Sequence, residues 1–413
     1  MDLRYAEADE RFRDELRAWL AESVPEEWRA PGYWSGLAAD ESFGRRRAWE
    51  ASKAAAGFSG IDWPTEFGGR GGTPAQKAIH DEELAHAGAP LTVNTLGLTF
   101  LAPTVMAIGT DTQKREIIRP LLRNDVIWCQ GFSEPDAGSD LAAVRTRGVL
   151  DGEEYVVNGQ KIWTSNALHA DRMFALVRTQ PGERKHQGLS MLLIDLHSPG
   201  VEVRPLRQLS GSLDFGEVFL TDVRVPADAV LGEPGEGWKV AMLLLSFERG
   251  SSAMGQYTAF RRELDQVIAL ARRTERGGRP AIEDPSIRQR IAHLHIELET
   301  LRLHSLYVLT QVEKGRALGA TSSLTKLQWS QTHQDIGDLF TEVAGADHQL
   351  TTTGGASDAS ADAQSDAAGR GSTDAAAYAL QRALLWSRSE TIWGGSSEIQ
   401  RQIVAEQLLG LPR

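Results

Sequence analysis

A single cysteine, Cys129, stands in 413 residues. That excludes a disulfide framework and any thiolate metal cluster supplied by this chain alone. No HExxH pair is present, and His293 and His295, two apart, point to different faces of a helix, so a metal site is not expected. No apolar run is long enough to span a bilayer, and the first residues, MDLRYAEADERFRDEL, have no apolar signal core. Basic residues are outnumbered, 44 Lys+Arg against 56 Asp+Glu, for a net charge of -12. Such a balance is poor for binding nucleic acid or an anionic membrane. No GxGxxG follows a strand and opens a helix, and no GxxxxGK[ST] occurs, which argues against Rossmann and P-loop nucleotide sites. A GxSxG elbow is missing too, and Ser323-Leu324-Thr325-Lys326 has SxxK spacing without its companion motifs. These absences predict a cytoplasmic, soluble chain whose length suggests two or three domains.

The patterning that is present divides the chain. Phe12, Leu16, Trp19 and Leu20 fall on one face of an acidic amphipathic helix. The stretch Ile61 to Thr73, IDWPTEFGGRGGT, is too rich in Gly and Pro for a regular element. Helical pattern resumes from about Ala75 to Leu122. From Trp128 to about Gly237 short alternating runs predict strands: Tyr155-Val156-Val157 with an Asn158-Gly159 hairpin turn, then Met191–Leu196, Val201–Val203 and Val218–Val225. Their spacing suggests a small sandwich or barrel. After the GEPGEG junction at 232–237 the helical period returns, through Ala253, Tyr257, Phe260, Leu264, Val267 and Ala271, then Ile287, Ile291, Leu294, Leu298 and Leu301. These segments suggest a helix bundle. Residues 351–377 are low-complexity Gly, Ala, Ser, Asp and Thr, read as a mobile loop. The expected fold is thus mainly α with a central β-barrel. It has an N-terminal helical domain over 1–127, a middle β domain over 128–236 and a C-terminal four-helix bundle over 237–413.

Two segments carry a chemical signal. In Phe132-Ser133-Glu134-Pro135-Asp136-Ala137-Gly138-Ser139-Asp140, hydroxyls, glycine and acceptors crowd around a proline. Such a loop can present backbone N–H groups and hydroxyls to a polar ligand edge, or simply be a connection rich in Asx and Ser turns. In Lys161-Ile162-Trp163-Thr164-Ser165-Asn166, Trp163 can stack on a flat heteroaromatic ring while Ser165 reaches a ring nitrogen, or Trp163 can be a core residue.

Together these two loops, with YVVNG between them, resemble the acyl-CoA dehydrogenase family of flavoproteins. IDWPTEFGG followed by HDEELAHAG is similar to that family's N-terminal helical domain, and TIWGGSSEIQRQIVAEQLLGLPR to its last helices. The resemblance covers essentially the whole chain in order. It implies FAD as cofactor and α,β-dehydrogenation of an acyl-CoA thioester to the trans-2-enoyl-CoA. A carboxylate takes the α-proton and flavin N5 takes the β-hydride.

In many members the base is a Glu just before the Gly of the C-terminal Gly-[Ser/Thr] motif. Here that position is Gly394, which cannot take a proton. A minority of the family carries the base on an earlier helix, directly before an Arg, and this chain has Glu248-Arg249 there. The resemblance therefore implies Glu248 as catalytic base, Arg249 near the thioester and the pantetheine of CoA, and a backbone N–H at Gly394 for the thioester carbonyl. It implies flavin contacts at Phe132, Ser133, Gly138, Ser139, Trp163 and Ser165, with Ser139 shared with CoA. Ser396 and Glu398 match positions near the ribityl and adenosine portions, where Thr and Gln are usual. An ionised Glu398 can accept but not donate.

Two departures concern assembly. Homotetrameric members carry Arg-x-x-Phe-Gly and Gln-x-x-Gly-Gly, both reaching the FAD of a neighbouring subunit. Here the matching regions read Arg272-Arg273-Thr274-Glu275-Arg276 and Glu342-Val343-Ala344-Gly345-Ala346. A tetramer is implied, either homomeric or an α₂β₂ heterotetramer in which a paralogue donates the missing groups, with electron-transfer flavoprotein as acceptor. Alternatives are an FAD-sharing, non-catalytic subunit of such a heteromer, or a related nitroalkane oxidase or flavin monooxygenase on the same fold. An acyl-carrier-protein thioester would undergo the same chemistry, and the sequence leaves the length, branching and ring content of the acyl group open. Cys129, just ahead of the first loop, is read as a small buried residue with no redox part.

Overall fold

A computed structural model of the chain describes residues 5–30, 32–248, 253–316, 319–349 and 372–412. The chain divides into two compact units. One comprises Met1–Gly44, Gly72–Leu91 and Arg249–Arg413, the other Arg45–Gly71 and Thr92–Glu248. No helix among the described residues is long and apolar enough to cross a membrane.

The first unit is helical. α1 (Glu7–Ser23) buries Phe12, Leu16 and Leu20, the face expected from their spacing, while Trp19 is only half-buried. α2 (Ala39–Ala55) begins in this unit and from Arg45 onward belongs to the other, and α3 (Pro74–Ala87) packs on α1. α3 starts on a capping box in which Thr73 and Gln76 satisfy each other's backbone N–H groups. Arg13 and Arg17 of α1 both bind the buried Glu83 of α3, at 3.0 and 2.8 Å.

Four long helices carry the C-terminal part of this unit: α8 (Ala253–Arg273), α9 (Pro285–Glu313), α10 (Thr321–Ala344) and α11 (Ser372–Glu390). α10 packs on each of the other three. Phe260, Leu264, Val267, Leu298, Leu301, Leu339 and Phe340 form their shared core, the residues whose 3.6 period marks each segment. α12 (Ser397–Ile403) is the last short helix. The expected loop at 351–377 lies outside the described residues as far as 371. Its last six residues are instead the first of α11, because Ala375 to Ala377 are the strongest helix formers.

The second unit contains short helices α4 (Ala102–Ile108), α5 (Asp111–Gln113) and α6 (Arg119–Leu122), then the sheet, then α7 (Gly237–Glu248). Its strands are β1 (Trp128–Gly131), β2 (Arg147–Asp151), β3 (Glu154–Ser165), β4 (Arg172–Arg178), β5 (Leu189–Asp195), β6 (Val201–Leu206), β7 (Phe215–Pro226) and β8 (Val230–Leu231). They hydrogen-bond in the order β6-β7-β3-β2-β4-β5-β8, with β1 parallel to β4 off that path. The path is open at β6 and β8, so the ladder makes an eight-stranded sheet domain and not the closed barrel expected from strand spacing. Val240, Ala241 and Leu244 of α7 join the core of β4 and β5.

The expected hairpin turn at Asn158-Gly159 is also displaced. β3 runs straight through it, and the register against β7 shifts between Val157 and Gly159. The bulge lies opposite, on β7, where Thr221 and Asp222 face Asn158 alone, and a Cβ on Gly159 would stand 2.7 Å from the Thr146 Cα. Asn158 and Asp222 close it with reciprocal 3.0 Å hydrogen bonds. The true turn is the two-residue loop Gly152-Glu153 between the paired Asp151 and Glu154, with Gly152 at φ +64° in its first position, where a tight hairpin turn favours glycine.

Candidate active site

In the sheet unit, β1 delivers the chain into the loop Phe132 to Asp140. A buried ion pair fixes this loop. Lys161, on an inward position of β3, is fully buried, and its Nζ donates to Glu134 Oε1 (2.8 Å), Leu176 O (2.7 Å) and Phe132 O (3.2 Å). Glu134 accepts two further bonds, from the backbone N–H groups of Arg145 (2.6 Å) and Thr146 (2.9 Å). Burial pushes the Lys161 ammonium down to about 8, against the pull of Glu134. Burial alone would raise the Glu134 carboxyl, but Lys161 and the N–H donors outweigh it and hold it below its ordinary value. The Ile162 N–H donates to Ser133 O at 2.9 Å, so Ser133 lies against the segment that carries Trp163. Phe132 turns its ring inward against Phe174 and offers only its main chain. Gly138 and Ser139 are exposed, and nothing lies within 4 Å of a Cβ built on Gly138.

Trp163 is not a core residue. It is 56% exposed, sits at a bulge of β3 between Lys161 and Thr164, and has φ +58°. A bulky residue held in the left-handed region costs roughly 1–3 kcal/mol and occurs where surroundings or function demand it. The edge of Phe215 braces its ring at 6.0 Å. Beside it the Thr164 hydroxyl is buried without a hydrogen-bond partner, and Asn166, also left-handed, ties the segment to Val93 O at 3.1 Å. An exposed indole, an open glycine, the exposed Ser139 hydroxyl and the half-buried Ser133 and Ser165 fit a flat, polar-edged ring such as a flavin. Cys129, two residues into β1, is fully buried, and burial drives its thiol well above the ordinary range. Glu248 is the last residue of α7, and Arg249 lies outside the described residues.

In the helical unit, Gly394 and Gly395 form the turn between α11 and α12, at φ +66° and +83°. Both are conformations that favour glycine. Gln400 of α12 donates to Gly394 O (2.9 Å) and Gly395 O (3.4 Å). Ser396 caps α12, its Oγ accepting from the Ile399 N–H at 3.3 Å. Glu398 is exposed in the first turn, 3.5 Å from Arg401. Glu342, at the position where the resemblance implies a Gln, is held by two guanidiniums of its own chain, Arg290 at 2.5 Å and Arg276 at 3.5 Å. It is thereby neutralised within the subunit.

Sequence reasoning did not single out the Glu134–Lys161 pair or Gln400. A signal existed for the first: Lys161 has the inward parity of Tyr155 and Val157 on β3, an apolar position unless an anion waits opposite. No His, Cys, Asp or Glu group among the described residues is arranged to hold a metal ion.

Comparison with known proteins agrees along the whole length. The N-terminal domain of acyl-CoA dehydrogenases matches residues 6–125, the middle domain 129–223 and the C-terminal domain 235–409. The chain is 41% identical over 407 residues to acyl-CoA dehydrogenase IpdE1 of Mycobacterium tuberculosis, covering 98% of each. Among solved structures, it is similar to the Tcur3481-Tcur3483 steroid ACAD and to a chain of the ChsE4-ChsE5 complex from Mycobacterium tuberculosis. Each likeness has a TM-score of 0.81 at 30% identity and covers 100% of both chains. The protein belongs to the acyl-CoA dehydrogenase family of FAD-dependent enzymes.

Proposed function

We propose that this chain desaturates a bulky acyl-CoA thioester between Cα and Cβ, with Glu248 as the base that removes the α-proton. The observation that carries the assignment is Gly394: the turn that bears a Glu in many members is here two glycines in left-handed conformation. The carboxylate must come from elsewhere, and Glu248 ends α7. FAD, when bound, accepts the hydride from Cβ. The chain's own residues do the rest. Trp163 stacks against the flavin, Ser133, Gly138, Ser139 and Ser165 meet its polar edge, and Phe132 lends main chain. The Gly394 N–H donates to the thioester oxygen where charge develops in the enolate. Arg249 steadies the thioester and pantetheine, and Ser396 and Glu398 lie toward the ribityl and adenosine portions. The domains carrying these parts are 1–127, 128–236 and 237–413.

The acyl group is proposed to be steroid-derived, because the likeness to a steroid ACAD extends over the whole chain at 30% identity. We also propose an α₂β₂ assembly with a paralogue, and electron-transfer flavoprotein as electron acceptor. Three observations support a partner. Glu342 is closed off by Arg276 and Arg290, so it does not offer the donated contact of the homotetramers. Ile296, Leu303 and Tyr307 leave an exposed apolar stripe on α9. Two solved relatives are named as pairs of chains. The test is co-expression with a genomically adjacent paralogue, then anaerobic flavin bleaching by a panel of straight-chain and steroid side-chain acyl-CoA thioesters. Full FAD loading and normal turnover by the chain alone would refute the heteromer. Preference for straight short chains would refute the substrate class.

A further inference from the structure

The C-terminal end of α11 is gripped by one face of α10. Lys326 Nζ donates to the Glu390 carbonyl and stands 4.3 Å from the ring centres of both Trp329 and Trp393. Two turns along, His333 Nδ1 meets Glu390 Oε2 at 2.6 Å, and its Nε2 lies 2.9 Å from Glu263 Oε2 of α8. The imidazole is buried and stacked on Phe260, 4.2 Å between ring centres. Gln334 Nε2 donates to Ser387 O (3.0 Å) and Thr391 Oγ1 (3.2 Å), and Arg388 pairs with Asp338 at 2.6 Å. Gly337 permits this closeness: a Cβ there would stand 3.3 Å from Leu384 Cα.

A helix end needs partners for its last carbonyls, and water ordinarily serves. Here Lys326 takes the Glu390 carbonyl and Gln334 the Ser387 carbonyl, His333 holds the Glu390 carboxylate, and the residues just beyond are fastened in turn. The N–H groups of Ile392 and Trp393 both donate to Ser389 O, and Trp393 Nε1 donates to Ser389 Oγ at 2.9 Å. Ser397 N–H returns to Thr391 O at 2.9 Å. Gln400 holds the carbonyls of Gly394 and Gly395 from the other side. Two consecutive glycines would otherwise leave this turn with the greatest backbone freedom of any dipeptide. An N–H that stabilises a developing oxyanion is effective only when its direction is set before the reaction.

We propose that Lys326 and His333 are positioning residues of the reaction: acting through Glu390 and Trp393, they fix the 391–396 turn and so the direction of the Gly394 N–H. The proposal rests on the reading that this N–H serves the thioester carbonyl. Lysine over two indoles supplies a cation–π brace on the tryptophan next to Gly394. Histidine between two carboxylates locks the helix from which the turn emerges.

The test compares Lys326→Met, Lys326→Arg and His333→Gln in the flavin-loaded enzyme with its partner. Lys326→Met and His333→Gln are expected to lower kcat about tenfold, with KM within about twofold, as for a catalytic donor slightly misplaced. Hydrogen exchange should quicken at 391–397 and stay as in wild type over α8 and α9. Lys326→Arg, which keeps a cation over both indoles, should restore most of kcat. Unchanged kcat and exchange would overturn the proposal. So would exchange that rises throughout α8 to α11 with KM rising alongside, since that marks a merely structural role. A wild type that reduces no flavin with any acyl-CoA overturns the functional reading, and the catalytic role of the clamp with it. Local quickening of exchange would then still separate a clamp from none.

Discussion

Replacing Lys161 with methionine tests how the Phe132–Asp140 loop is held. The side chain keeps its length and apolar stem, so no large cavity opens. What disappears is the ammonium, with its bonds to Glu134, Leu176 O and Phe132 O. Glu134 is left as a buried carboxylate with two backbone N–H donors. Removing one partner of a buried ion pair costs about 3–5 kcal/mol. The two remaining donors place this case at the lower end, near 3 kcal/mol, to which the two released carbonyls add roughly 1 kcal/mol. That is a large share of a domain stability of about 5–15 kcal/mol. Urea unfolding followed by circular dichroism reads the loss, and flavin retention on gel filtration reads the loop. The double variant Lys161→Met with Glu134→Gln should recover about 1–2 kcal/mol, because a neutral amide tolerates burial better. A Lys161→Met protein that loses under about 1 kcal/mol and keeps its flavin would refute the claim that this pair fastens the loop.

Other consequences follow from single sites. Trp163→Gly should weaken FAD binding, measured by apoprotein titration, although glycine suits the left-handed backbone there. Cys129 should stay unreactive toward a thiol reagent in native protein and react only on unfolding, since it is fully buried with its thiol pushed far up. His333 has its pKa raised to about 10: burial opposes the charge, but Glu263 and then Glu390 outweigh it. A raised histidine pKa contributes stability that is fully present below about pH 6.5 and lost as pH rises through about 10. His333→Gln should therefore flatten the alkaline limb of the melting-temperature profile.

The helices were legible where one period governs a long segment. Phe260, Leu264 and Val267, and likewise Leu294, Leu298 and Leu301, are buried as their spacing requires. Asn158-Gly159 carries a turn signal yet stays in β3, because β7 absorbs the irregularity as a bulge at Thr221-Asp222, which only the opposite strand decides. Sheet closure was not legible, since strand spacing does not reveal which edges pair. Lys161 and His333 escaped notice for a shared reason. Their roles come from acids 27 and 57 residues away in the chain, which only folding brings together. Trp163 was open between two readings until its exposure and left-handed backbone placed it outside the core. Recognition of the chemistry came from motif order along the whole chain, where no single segment sufficed.

The most direct measurement is anaerobic flavin bleaching by a steroid side-chain acyl-CoA, comparing wild type with Glu248→Gln at equal FAD content. The account predicts rapid bleaching by wild type and a loss of at least about a thousandfold in the variant, with FAD still bound and substrate affinity little changed. Undiminished bleaching by Glu248→Gln would contradict it.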